Sequence, residues 1–147
     1  MIERDTIKLL RECDEGVKMG ISSIEDVLGH VHSDKLEKRL TDCKREHEAL
    51  GKELQELQEL LDRYRDEGKD PPAIASAMSD LMTKMKLMLH DSDTEIADLM
   101  TDGCNMGVKS LSKFLNQYAA ADEASKGVAR RLIALEEALA VDLRGYL

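Results

Sequence analysis

The sequence has no tryptophan, one phenylalanine, three tyrosines and only two prolines among its 147 residues. β-Sheets are rich in aromatic and β-branched side chains, whereas this chain is rich in leucine, glutamate, lysine and alanine, which favour helices. An all-β fold is therefore excluded. A chain of this length forms one ordinary domain around a single core, so we expect a single all-α domain over residues 1–147.

The chain also lacks a long apolar run. Glu3, Arg4 and Asp5 interrupt the stretch that a signal peptide would need to be apolar, and no window approaches the roughly 18 apolar residues of a membrane span. We therefore predict a cytoplasmic protein with no membrane association. Basic residues are outnumbered 21 to 30, giving a net charge of -9, and such a surface repels nucleic acids and anionic membranes. Neither is expected as a partner.

Cysteine is scarce and unpaired. Cys13, Cys43 and Cys104 are an odd number, and no two of them form a CxxC motif. This pattern predicts neither a disulfide framework nor a zinc knuckle. We expect three buried, reduced thiols that pack as small hydrophobic side chains.

Apolar residues recur at helical spacing in five segments. The predicted helices cover about residues 3–31, 35–66, 73–89, 93–118 and 123–147. In the second segment the apolar positions alternate by four and three, which is typical of a bundle seam. Pro71 and Pro72 end that segment, while Ser33 or Asp34 and the residues 90–93 provide N-caps for the helices that follow them.

Two stretches of the chain, residues 15–24 and 102–111, share the pattern acid-Gly-x-x-Met-Gly-aliphatic-x-Ser-aliphatic. Each lies within a long helix that another long helix follows. This predicts two pseudo-repeated hairpins, about 3–66 and 93–147, joined by a crossover at 67–92 that contains a helix of its own. At ~1.5 Å per helical residue the crossover can return along the molecule. The expected topology is an up-down-down-up four-helix bundle.

Each copy of the repeat contains GxxxG, formed by Gly16 and Gly20 in the first copy and by Gly103 and Gly107 in the second. A glycine inside a helix costs about 1 kcal/mol relative to alanine, so four at matched places need a packing reason. We predict that they let the first and fourth helices approach closely. The alternative is that they leave room at mid-bundle for a ligand or a metal.

The two hairpins, the long crossover and the mid-helix carboxylates resemble the ferritin-like superfamily. Over nearly its whole length the chain is similar to an uncharacterised bacterial branch of that superfamily. That branch usually has an acidic pair after the fourth-helix glycine, where this chain has Cys104 and Asn105. The motifs that carry the resemblance are Asp14-Glu15-Gly16, Met85-Lys86, and Asp93, Ile96 and Gly103. The resemblance implies a ferritin-like fold, with iron or manganese as the leading alternative to having no cofactor.

A ferritin-like di-iron centre needs a Glu-x-x-His motif from each of two helices. None of the four histidines has a glutamate three residues before it, and no other catalytic motif occurs. The sequence therefore requires no cofactor and predicts no catalytic residue. A degenerate mid-bundle metal site is kept as an alternative. Its candidate ligands are Asp14, His47, Asp102 and Glu136. Without a metal, His47 on the apolar seam would be a neutral histidine that is hydrogen-bonded within the bundle.

A methionine stripe occupies the third helix at Met78, Met82, Met85 and Met88. Because methionine side chains adapt to irregular gaps, we predict that the stripe docks this helix onto the bundle. The alternative is a surface that binds a protein partner or a second copy. The expected function is a non-catalytic bundle that acts through protein contacts or self-association as a homo-oligomer. The alternative function is a metal-binding carboxylate protein.

Overall fold

The computed structural model describes residues 3–62, 72–87 and 92–147, and these form five α-helices and a short 3-10 helix. The elements are α1 (Arg4–Leu28), α2 (Asp34–Asp62), α3 (Ala73–Leu87), α4 (Asp93–Gln117), α5 (Glu123–Leu143) and the 3-10 helix (Arg144–Tyr146). No strand occurs in these ranges, so the all-α prediction is confirmed.

The helices begin where the sequence places its capping residues. The hydroxyl of Ser33 accepts a hydrogen bond from the Leu36 N–H at 3.2 Å, and that of Ser92 accepts one from the Glu95 N–H at 3.1 Å. These bonds satisfy backbone donors that have no partner within the first turn of a helix. The predicted ends at residues 63–66 and 88–89 lie outside the described residues.

One apolar core joins all five helices. α1 packs most extensively against α2, and α4 against α5, while α3 lies against α1 and α4. The largest fully buried side chains come from every helix and include Leu9, Leu40, Met85, Ile96 and Leu132. The third helix is therefore part of the core rather than an appendage to it.

Hydrogen bonds between distant residues show which ends of the helices lie together. The Asp93 carboxylate accepts the backbone N–H groups of His32 at 2.8 Å and Ser33 at 2.9 Å, so α4 begins beside the turn between α1 and α2. At the other end, the Asp122 N–H donates to the Thr6 hydroxyl at 2.8 Å, which places the turn between α4 and α5 beside the start of α1. The first residues of α2 and α4 thus lie at the same end of the molecule.

The same bonds explain why α1 ends at Leu28 rather than near residue 31. The N–H groups of His32 and Ser33 are bonded to Asp93, so they do not continue the helical ladder. Gly29 ends the helix, with its N–H directed to the Val27 carbonyl.

The surface of the described residues shows three exposed large hydrophobic side chains, Leu87, Val141 and Leu147. Within those residues no helix combines the length and the apolar character that crossing a membrane requires.

Candidate functional site

All four repeat glycines line one cavity of about 30 Å³ in the middle of the core. Gly16 and Gly20 face it from α1, and Gly103 and Gly107 face it from α4. A cavity of this size holds a water molecule or a methyl-sized group. The internal repeat therefore brings its two copies to the same place in the fold.

The first glycine of each pair makes room for a side chain of α3. A Cβ atom on Gly16 would lie 3.5 Å from Cδ1 of Ile74, and one on Gly103 would lie 3.4 Å from Cδ2 of Leu81. Gly16 also borders Leu132 of α5, at 3.4 Å. Because these distances are ordinary or tight carbon contacts, α3 sits directly in the groove between the two copies of the repeat.

The second glycine of each pair borders a polar pair instead. A Cβ atom on Gly20 would lie 2.7 Å from Cδ2 and Nε2 of His47, and one on Gly107 would lie 3.8 Å from Cδ of Glu136. α1 and α4 do contact each other. Side chains from α2, α3 and α5 nevertheless border the space beside the four glycines.

His47 and Glu136 form a hydrogen-bonded pair that joins α2 to α5 in the wall of this cavity. The His47 side chain is 1% exposed, and its Nε2 lies 2.9 Å from Oε1 of Glu136. Its Nδ1 lies 2.8 Å from the Cys43 carbonyl oxygen, one helical turn earlier. When Glu136 is ionised both neighbours are acceptors, and this arrangement favours a proton on each ring nitrogen, that is, the imidazolium form.

The electrostatic balance agrees with this assignment. Burial lowers the pKa of His47, but its bonds to Cys43 and Glu136 and the charge of Glu136 outweigh burial and raise that pKa to about 10. The expectation of a neutral histidine is therefore wrong: His47 is charged at neutral pH, because the Glu136 carboxylate balances its positive charge.

The cysteines beside this pair are buried, as expected from the sequence. The Cys43 sulfur lies 3.5 Å from Nδ1 of His47. Burial, the charge of Glu136 and a hydrogen bond to Glu136 hold the pKa of the Cys104 thiol far above its ordinary value. Farther along α1, burial and the charges of Glu12 and Asp14 raise the pKa of Cys13 to about 12. Cys13 and Cys104 are therefore thiols rather than reactive thiolates.

Comparison of the chain with protein-family models, curated proteins and solved structures gives no match. The chemistry of the site then follows from its own residues. His47 has both nitrogens occupied, so it has no lone pair with which to act as a base. The Cys104 sulfur is protonated, so it is no nucleophile. The site is therefore a buried pair of opposite charges, His47 and Glu136, in the wall of a small cavity.

The structure brings together two of the four candidate metal ligands. His47 and Glu136 are in contact, whereas Asp14 forms a salt bridge of 2.8 Å with Lys18 and Asp102 is exposed on α4. Within residues 3–62, 72–87 and 92–147, no three His, Cys, Asp or Glu side chains are placed to hold one metal ion.

The methionine stripe faces inward. Met78 and Met85 are buried and line the cavity, which confirms that α3 docks through them. Met82 is partly buried, with its sulfur 3.2 Å from the Ser23 hydroxyl. Met88 lies outside the described residues. The surface available to a protein partner therefore does not include Met78 or Met85 in this structure.

Sequence reasoning missed one residue that positions the site. Glu12 of α1 is buried, and its carboxylate accepts the N–H groups of Ala73 at 2.6 Å and Ile74 at 2.9 Å. It thereby anchors the first turn of α3 above the cavity. The only signal in the sequence was the N-terminus of α3 itself, where Pro72 supplies no side-chain acceptor.

Proposed function

We propose that the protein is a non-catalytic helical module that binds a small molecule in the cavity beneath α3. The observation that carries this proposal is a buried charged pair, His47 and Glu136, in the wall of a cavity that four glycines border. Ligand sites are typically apolar cavities with a few polar groups that fix orientation. Removing two charges from water costs more than a hydrophobic pair of similar volume would, so stability alone does not account for this pair.

The wall formed by α3 supports the same proposal. The cavity of about 30 Å³ admits little more than a water molecule until its wall moves. Met78 and Met85 supply part of this wall, and their unbranched side chains change conformation at low cost. A ligand of a few heavy atoms can therefore be accommodated by methionine rearrangement without unfolding of the core.

The test uses three probes with the same two-carbon body, ethylamine, ethanol and acetate. Binding of such small ligands gains at most about 1.5 kcal/mol per heavy atom, so we expect dissociation constants no lower than about 0.5 mM for the three-atom probes and about 0.04 mM for acetate. NMR titration of the ¹⁵N-labelled chain measures such affinities. At least one probe should give saturable shifts centred on the amides of Gly20, Gly103 and Gly107.

A matched pair of glycine variants controls this titration. Gly107→Leu places a side chain in the cavity and should abolish the saturable shifts, whereas Gly127→Leu should retain them, because a Cβ on Gly127 meets no atom within 4 Å. If none of the three probes saturates, or if both variants behave alike, the binding proposal is wrong.

For the fold, we propose the ferritin-like up-down-down-up bundle of two pseudo-repeated hairpins with a crossover helix. It is supported by the contact of Asp93 with the turn between α1 and α2 and by that of Asp122 with Thr6. α3 begins beside Glu12 and passes Ser23 at Met82, so it runs in the same direction as α1. This is the direction that a returning crossover needs.

Two further expectations from the sequence stay predictions. A degenerate metal site would show as stoichiometric iron, manganese or zinc in untagged protein, with loss of the metal in Asp14→Ala. Action through protein contacts as a homo-oligomer would show as a mass above 16.5 kDa in sedimentation experiments.

A further inference from the structure

We propose that the ligand of this cavity is a small protonated amine whose ammonium group binds the Glu136 carboxylate. This inference rests on the proposed binding function and names the chemical class of the ligand. It is argued from the hydrogen-bond donors of the cavity wall, which already have partners, and from an acceptor, Glu136, which can accept more.

The donors of the wall are occupied. Both N–H groups of His47 are directed to acceptors, Cys43 O and Glu136 Oε1. The Ser23 hydroxyl donates to the Met19 carbonyl at 2.8 Å, and the Cys104 thiol is only a weak donor. A ligand that needs to accept a hydrogen bond therefore finds no free strong donor among these side chains.

The acceptor capacity of the wall is not exhausted. A carboxylate offers about four lone-pair sites, and His47 Nε2 uses one of them, on Oε1 of Glu136. The missing side chain of Gly107 leaves its Cβ position 3.9 Å from Oε2 of Glu136. The second oxygen of the carboxylate thus lies beside space that a donor group can enter.

The charge of Glu136 and of the whole chain favours a cationic donor over a neutral one. The Glu136 side chain is 13% exposed, so a small solute can reach it without unfolding of the core. The chain carries a net charge of -9, which raises the local concentration of cations and repels anions. Hydrogen bonds from an ionised donor are about twice as strong as neutral ones. An alkylammonium ion meets both conditions. It would share the Glu136 carboxylate with the His47 imidazolium by binding Oε2, since His47 is bonded to Oε1, and it would bury its carbon atoms against the α3 methionines.

The three probes of the binding test also decide this inference. At about pH 7, the dissociation constant of ethylamine should be at least about tenfold lower than those of ethanol and acetate, given the strength of charge-assisted bonds. Glu136→Gln keeps the shape of the side chain and removes its charge, and it should abolish the preference for the amine. Glu137→Gln, the same change at the exposed neighbouring position, should leave the preference intact.

Each outcome has a defined meaning. If ethanol binds as tightly as ethylamine, or if Glu136→Gln retains the preference, the amine assignment is overturned while the binding function stands. If no probe saturates, both are overturned. Should Glu136→Gln fail to fold by circular dichroism, Glu136→Asp replaces it. That variant keeps the charge on a side chain one methylene shorter, so the amine should bind it more weakly than the unchanged protein.

Discussion

At the scale of single residues, His47 combines near-complete burial with two hydrogen bonds to acceptors. Such a side chain is costly to bury unless its charge is balanced, and Glu136 on α5 provides that balance at 2.9 Å. The pair also explains the glycine at position 20, because a Cβ there would lie 2.7 Å from the imidazole ring.

The raised pKa of His47 predicts a pH dependence of stability. In the unfolded chain this histidine titrates near its ordinary value of 6.5, and in the folded chain near 10. Its stabilisation is complete below the unfolded value and is lost as the pH rises through the folded one. The free energy of unfolding should therefore fall between about pH 7 and 10, by at most about 1.4 kcal/mol per pH unit from this group.

Urea denaturation across this pH range measures the effect. The double variant His47→Gln/Glu136→Gln keeps two polar side chains of similar size without charge, and it should show a clearly smaller slope. Identical slopes in the two proteins would mean that His47 is not protonated in the folded state.

The repeat glycines predict opposite responses to the same substitution. Gly20→Ala forces the rigid His47 ring to move and should lower the free energy of unfolding by about 1 to 3 kcal/mol. In Gly107→Ala the new Cβ meets Glu136 at 3.8 Å, an ordinary contact. Helix propensity then acts alone and should raise stability by up to about 1 kcal/mol.

Thermal unfolding of these two variants and of Gly127→Ala provides the comparison. Gly127 has no neighbour within 4 Å of its Cβ position, so it reports the propensity gain by itself. If Gly20→Ala were as stable as Gly127→Ala, the packing of His47 against Gly20 would be looser than the structure shows.

The sequence could predict that His47 lies on an apolar seam, because the seam is periodic. The same helical geometry could also have argued against two of the candidate carboxylates. Successive residues turn by about 100°, so Asp14 points about 200° away from Gly16, and Asp102 about 100° away from Gly103. Neither joins His47 in the structure, and only Glu136 does.

At the scale of helices, α3 depends on another helix for its start. It has no acidic residue in its first turn, and its first two N–H groups are bonded to the buried carboxylate of Glu12 in α1. The usual cap comes from a residue directly before the helix. Here a residue of α1 supplies the cap, so the first turn of α3 is capped only when α3 is packed against α1.

Glu12→Gln should therefore loosen α3. An amide offers one acceptor oxygen and turns a donor toward an N–H group, which should cost about 1 to 3 kcal/mol. Hydrogen exchange should quicken in the amides of residues 73–87 more than in those of α2 or α5. Glu25→Gln is the matched control, since Glu25 is an exposed carboxylate on the same helix. Unchanged exchange in α3 would contradict the anchoring role of Glu12.

The existence and approximate bounds of all five helices followed from apolar periodicity and capping residues. The bond between Glu12 and α3 did not, because sequence spacing says nothing about which side chain of one helix meets the end of another. The methionine stripe did predict how α3 docks, because its helical spacing places the methionines on one face. That face is buried at Met78 and Met85.

At the scale of the whole molecule, the order of the helix ends predicts a crosslinking pattern. Asp34 and Thr94 are exposed and adjoin the contact of Asp93 with Ser33. Cysteines placed at both positions should be joined by a short bismaleimide, while the three buried native cysteines stay unmodified. Cysteines at Glu59 and Thr94 should not be joined, because α2 separates residues 34 and 59 by about 38 Å.

Mass spectrometry of the digested protein identifies the linked peptides. A link between positions 59 and 94 would reverse the direction of α4 and contradict the hydrogen bonds of Asp93. The sequence could predict this arrangement because segment lengths and the matched repeats left few ways to bury every apolar face. It left two alternatives for the repeat glycines, a close helix contact or open space at mid-bundle, because the outcome depends on how side chains of other helices fill the space beside each glycine.

The pair of His47 and Glu136 also affects the register in which α2 packs against α5. α2 contributes His47 and α5 contributes Glu136, so the two charges meet in only one register of these helices. A slip of one helical turn, about 5.4 Å, would separate the partners. Two opposite charges would then be buried unpaired, at a cost of about 3 to 5 kcal/mol when a partner is removed. Apolar seams with regular spacing tolerate such slips, so we expect the pair to favour the native register of α2 against α5.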